Sequence, residues 1–239
     1  MMGRTHVYSG MAAGAATLPI APVEGVVAAV AWVAVAGGAA LVPDLDHPNA
    51  TMTRMWGPVL VPLHKAVRWL GRGHRGGSHD IIVAPAVVWL IAWAASRHEV
   101  SAGILIAIVI GLGIRGAEFV VPGKLFEHPA VNIAIAGNVA WLSATYAMTL
   151  AWLPWALALG VVVHVIGDAV TRTGVPIPFT WLDGRATHNK GALTTGRWYE
   201  RWLIAPGFLA AALLLLMINT PELADRLGAG IEYAQGLRR

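Results

Sequence analysis

The chain has 239 residues, 56% of them apolar and only 13% charged, with a net charge of +4 and a mean hydropathy of +0.61. Soluble domains carry about 25% charged residues, so this balance excludes an ordinary soluble globule; eleven Trp, a residue that favours the bilayer interface, point the same way. No Cys is present, which excludes disulfides, iron–sulfur clusters and thiol nucleophiles and leaves N and O ligands for any metal.

In chain order, the apolar segments predict helices at 7–22, 25–43, 81–96, 102–116, 131–150, 154–171 and 203–219. Together they predict one all-α, polytopic membrane bundle over 1–239. The first segment is rich in Ala and Gly, but its interruptions and the single preceding Arg4 distinguish it from a signal peptide. Polar stretches at 44–80, 115–130 and 171–202 separate the rest. If 7–22 spans, all three stretches share the N-terminal side, and with Arg4 they hold thirteen of the seventeen Lys and Arg residues. The positive-inside rule makes that face cytoplasmic. The same count places every His except His98 on that face. The basic residues form no run, so no nucleic-acid patch is expected. The string Gly111-Leu112-Gly113-Ile114-Arg115-Gly116 matches a dinucleotide fingerprint, but it ends an apolar segment and is better explained by close helix packing.

Four short motifs carry candidate chemistry. His164 and Asp168 stand four residues apart near the end of an apolar segment, on one face of a helix, where ionisable groups usually mark a site. Asp44, Asp46 and His47 follow the second segment between Pro43 and Pro48, which favour an extended or turning backbone. In an extended stretch the two carboxylates point the same way, suited to a two-metal hydrolytic site; helix capping is the plain alternative. His74 and His79 flank Arg75-Gly76-Gly77-Ser78. There Arg75 suits an anion clamp and the glycines suit close approach to a ligand, unless the segment is only a basic headgroup loop. His6 gains interest because the topology returns it to the same mouth. His64, His98, His128 and His188 read as surface residues.

The blocks His6, Pro-Asp-Leu-Asp-His-Pro (43–48), His-Arg-Gly-Gly-Ser-His (74–79) and His-x-x-x-Asp-x-x-Thr-x-x-Gly (164–174) resemble the YdjM-like family of membrane-bound, metal-dependent hydrolases. That family looks distantly similar to zinc-dependent phospholipases C and single-strand nucleases, which are all-helical. The resemblance implies a divalent metal, zinc above all with manganese or iron as alternatives, in one to three ions. It implies His6, Asp44, His47, His74, His79, His164 and Asp168 as ligands, with Asp46 a ligand or base. Two departures stand out: Asp80 adds an acid beside the second histidine, and His6 lies five residues in, where the phospholipases use their N-terminal amine.

These readings converge on hydrolysis of a phosphoester, such as a membrane lipid headgroup, at a metal site on the cytoplasmic end of the bundle. Asp46 or Asp168 would handle the proton and Arg75 the substrate anion. The rival readings are a metal or proton transporter and a membrane scaffold that retains a structural metal.

Overall fold

The computed structural model describes residues 1–47, 56–117, 128–146, 150–183 and 186–236. Pro48, Glu127 and the part of the helix expected over 131–150 that follows Tyr146 lie largely or wholly outside them. The described residues form nine α-helices: α1 (Gly3–Thr17), α2 (Gly25–Ala39), α3 (Val61–Leu70), α4 (Val83–Ala95), α5 (Glu99–Gly116), α6 (Pro129–Tyr146), α7 (Leu153–Ala169), α8 (Ala205–Asn219) and α9 (Pro221–Gly236). No strand forms among them; two isolated bridges, Thr171 to Leu193 and Pro176 to His188, tie the 171–193 loop together.

Over the described residues each expected apolar segment is mostly helical, and two helices appear that were not expected. α3 falls inside the polar 44–80 stretch. It is ten residues long and one-sided, so a search for apolar runs of spanning length passes over it. α9 begins at Pro221, which suits a first helical turn because it needs no N–H partner there. α1 starts at Gly3 rather than at residue 7, so His6 lies within the helix.

Among the described residues, Gly25–Asp46, Glu99–Gly116 and Glu200–Asn219 are long and apolar enough to cross a membrane, while Val83–Ala95 and Leu153–Ala169 are apolar but shorter. α2 is the central helix, packed against α1, α5 and α7. Small residues allow this: a Cβ on Gly10 would stand 2.6 Å from the Ala36 carbonyl oxygen, and one on Gly113 would stand 3.2 Å from Gly38 Cα. Gly113 therefore serves helix–helix contact, as membrane bundles require where lipid tails give no hydrophobic drive to association. Trp32, Ile106, Leu153 and Leu157 fill the core around α2.

Polar contacts fix which helix ends meet. Tyr8 Oη donates to the Ala117 carbonyl at 2.7 Å, Asn132 Nδ2 to the Gly111 carbonyl at 3.0 Å, and the Met2 amide to Glu200 Oε1 at 2.7 Å. The N-terminal ends of α1, α6 and α8 thus join the C-terminal end of α5 at one end of the bundle. At the other end Asn219 Nδ2 donates to the Ala15 carbonyl at 3.0 Å.

Candidate metal centre

Pro43 has no N–H, so the helical ladder of α2 cannot continue through it; the chain tightens into a 3₁₀ turn over Pro43–Asp46. With three residues per turn, Asp44 and Asp46 diverge instead of pointing the same way as an extended backbone would make them. They bracket one imidazole: Asp44 Oδ1 stands 3.8 Å from His79 Nε2, and Asp46 Oδ2 stands 3.5 Å from His79 Nδ1. His79 is fully buried at the end of a second 3₁₀ turn, Gly77–His79. The glycines of this loop serve the protein and not a ligand, because a Cβ on Gly77 would lie 2.7 Å from the Trp181 ring.

His164, in the last turns of α7, is fully buried and reaches back to the end of α2, where its Nδ1 meets the Ala40 carbonyl at 2.6 Å. That carbonyl accepts only from an N–H, so Nδ1 carries the proton and Nε2 is left as the ligating nitrogen. Nε2 lies 3.2 Å from His79 Nε2 and 3.8 Å from both Asp44 Oδ1 and Asp168 Oδ2; His79 Nε2 is also 3.8 Å from Asp168 Oδ2. Ligand atoms about 2.0–2.2 Å from a tetrahedral ion stand about 3.3–3.6 Å from one another, so Asp44, His79 and His164 form a group of the right size for one divalent cation. A second group shares His164: His6 Nε2 lies 3.2 Å from Asp168 Oδ1, and the His6 ring stacks on His164 with centroids 3.9 Å apart. His6 is fully buried, and its Nδ1 has no hydrogen-bond partner.

Asp46, His47 and His74 stand outside both groups. Asp46 is buried behind His79 and accepts from His74 Nδ1 at 2.7 Å, the Arg75 amide at 3.0 Å and Ser78 Oγ at 2.5 Å. It orients the ring of a ligand instead of offering a free oxygen. His47 packs edge-on against His74, with centroids 4.6 Å apart. Burial disfavours a charged His79, but hydrogen bonds and charge from Asp44 and Asp46 outweigh it and push the pKa up to about 9. The imidazolium thus neutralises the carboxylates where a cation would otherwise do so.

Asp168 gathers two cationic groups and an imidazole. Its Oδ2 meets Arg75 Nη2 at 2.7 Å, while Oδ1 takes the Met1 amine as well as His6. Arg75 adopts a left-handed backbone, φ 59°, and its Nη1 also donates to the Gly174 carbonyl at 2.8 Å.

Across residues 1–223 the sequence matches the family model for the YdjM inner membrane protein. The chain belongs to the YdjM family. No curated protein and no solved structure is detectably similar, and the distant likeness to phospholipases C and nucleases finds no support in these comparisons. For this YdjM-family chain the donor set fits a metal: two histidines with ligating nitrogens turned inward, a third with an unpartnered ring nitrogen, and two carboxylates, held at the joined ends of α1, α2 and α7 and the 74–79 loop.

The sequence reading missed several supports. Asp80 is not a site acid: it accepts from the Ile82 and Val83 amides at the start of α4, and from the Phe179 amide and Trp181 Nε1, each at 2.8 Å for the last two. Burial would raise its pKa, but these donors hold it below the ordinary carboxylate range. Trp181, fixed in this way, forms the floor under Gly77. His188, expected at the surface, is half-buried with Nε2 3.2 Å from the Arg75 carbonyl, and His64 is half-buried against the Leu45 carbonyl at 2.7 Å. His98 and His128 are exposed. Glu200 carried a readable signal, since a carboxylate opening an apolar span needs a partner; it accepts from the Met2 and Gly196 amides.

Proposed function

We propose that this protein is a membrane-embedded, metal-dependent hydrolase of phosphoesters, with lipid headgroup phosphate as the substrate class. The observation that carries the reading is the convergence of His79 Nε2, His164 Nε2, Asp44 Oδ1 and Asp168 Oδ2, with the Arg75 guanidinium against the same carboxylate. A divalent ion held by this set, zinc first and manganese or iron as alternatives, supplies Lewis acidity toward a phosphoryl oxygen and acidifies water. Arg75, with 19% of its side chain exposed, presents N–H groups at the mouth and suits an anionic substrate.

The proton acceptor in this reading is His74 and not Asp46, whose oxygens already serve three donors. Asp46 Oδ1 holds His74 Nδ1–H, which leaves Nε2 as the basic nitrogen on a side chain one-third exposed. In this reading the thirteen basic residues expected on the N-terminal side, by the positive-inside rule, favour a cytoplasmic location for this end of the bundle. Burial of His6, His79, His164 and Asp168 favours a second reading, in which the metal only ties four segments together.

The test is the metal content of the purified protein alongside hydrolysis of phospholipid and phosphodiester substrates in vesicles, with His164→Ala as the control. Hydrolysis that requires metal and His164 is expected. A protein that holds its metal and hydrolyses none of the panel is a scaffold; metal-dependent ion flux without hydrolysis makes it a transporter.

A further inference from the structure

Helix α3 takes no part in the metal centre, yet its two faces differ sharply. Leu63 and Val67 pack toward Leu45 and Leu60, and His64 contacts the Leu45 carbonyl. The outward face carries Lys65, Arg68 and Trp69, followed by Leu70 and Arg72, and none of the helix is buried. Trp69 is 79% exposed and Leu70 63%. Lys65, Arg68, Trp69, Leu70, Arg72 and Gly73 line a surface pocket of about 760 Å³, with three cations and no carboxylate in its lining.

An exposed Trp beside Lys and Arg on the outward face of a helix suits the headgroup level, where Trp sits at the interface and long basic side chains lay their stems on apolar surface with the charge in water. Its place in the fold agrees. α3 adjoins the 43–46 turn, where one candidate span ends, and belongs to the same end of the bundle as the start of another at Glu200. Trp198 and Trp202, 67% and 71% exposed, mark that level beside Arg197 and Arg201, as expected of side chains at the headgroups. The end of α3 is also tied to the centre: the Gly77 amide donates to the Gly71 carbonyl at 3.0 Å, which joins it to the loop of His74, Arg75 and His79.

We propose that α3 is an in-plane interfacial helix whose Lys65–Arg68–Arg72 pocket binds the phosphate of an anionic phospholipid next to the metal centre. The inference rests on the membrane reading of this chain and not on the hydrolase reading. Arg72 is anchored by donating to the Leu182 carbonyl, while Lys65 and Arg68 project from the exposed face.

The chain has no Cys, so Ala66→Cys, exposed and outside the pocket lining, accepts a single polarity-sensitive fluorophore. The full-length, metal-free protein is titrated in detergent micelles with phosphatidylglycerol, phosphatidylcholine or inorganic phosphate, and then placed in nanodiscs with brominated acyl chains. A saturable response to phosphatidylglycerol alone is expected, with bromine quenching in the nanodiscs. Lys65→Gln/Arg68→Gln should weaken the phosphatidylglycerol response about 30-fold, at roughly fivefold per basic residue, without moving the melting temperature. Equal responses to both lipids, or an unchanged response in the double variant, overturn the proposal. A matching response to inorganic phosphate makes the pocket a free-anion site, and a label shielded only as protein concentration rises makes this face a contact between copies; either overturns it. Because no turnover is read, failure here leaves the hydrolase reading standing, and loss of hydrolysis leaves this one standing.

Discussion

Asp46→Asn separates a ligand from a residue that orients one. The side chain is isosteric, so its oxygen can still accept from the Arg75 amide and Ser78 Oγ, but the amide nitrogen now faces His74 Nδ1 and donates where Asp46 accepted. His74 must move its proton to Nε2, which destroys the basic nitrogen at the mouth. Hydrogen bonds to charged groups contribute about 1.5–3 kcal/mol against about 0.5–1.5 for neutral ones, so neutralising an acceptor of three bonds lowers stability by about 3 kcal/mol. His79 also loses the carboxylate 3.5 Å from its Nδ1. Loss of such an outer partner costs about 10–100-fold in metal affinity. Chelator competition should show this weakening, while metal analysis at saturating metal returns the wild-type stoichiometry. Turnover should fall by about 10²–10⁴-fold, the range for a lost general base. An Asp46→Asn protein that cannot be loaded at any metal concentration, as His164→Ala should not be, would refute the orienting role; unchanged affinity would refute the link to His79.

His164 belongs to both donor groups, so metal analysis should find that His164→Ala removes more metal than His6→Ala or Asp44→Ala alone. In metal-free protein the raised His79 pKa stabilises the fold fully below about pH 6.5, and that contribution is lost as pH rises through about 9. Melts of chelated protein from pH 6 to 10 should show the decline, and metal affinity should strengthen over the same window as the displaced proton becomes easier to remove. Asp80→Ala frees Trp181 and strips a cap from α4; a loss of about 2–4 kcal/mol in a denaturant or thermal series is expected for a buried acceptor of several bonds. Asp80 stabilises above its ordinary pKa of about 3.8, and this is lost only as pH falls through its lower folded value. Gly38→Ala drives a methyl into the Val109 backbone and should lower stability by about 1–3 kcal/mol, whereas Gly137→Ala meets open space and should be neutral or stabilising.

The bundle was legible in the sequence because long apolar segments in a chain so poor in charge have few structural solutions in lipid: each must satisfy its own backbone, and only a helix does so within one segment. The gathering of the polar loops at one end followed from alternation of the spans. The His-x-x-x-Asp pair was legible for a similar reason, since the helical period alone puts His164 and Asp168 on one face. What local pattern could not supply was the direction of each side chain in the irregular segments. Asp44 and Asp46 look equivalent in sequence, yet a single 3₁₀ turn after Pro43 sends one toward the metal donors and the other behind His79. Asp80 reads as a site acid until Trp181, a hundred residues away, is seen to use it. α3 escaped because its ten residues bury nothing fully, and its meaning depends on which end of the bundle it adjoins. Which imidazole nitrogen faces the donor cluster, which carboxylate stands behind a ring and which basic side chains line the surface pocket are decided by contacts between segments far apart in the chain, and those contacts exist only once the helices have packed.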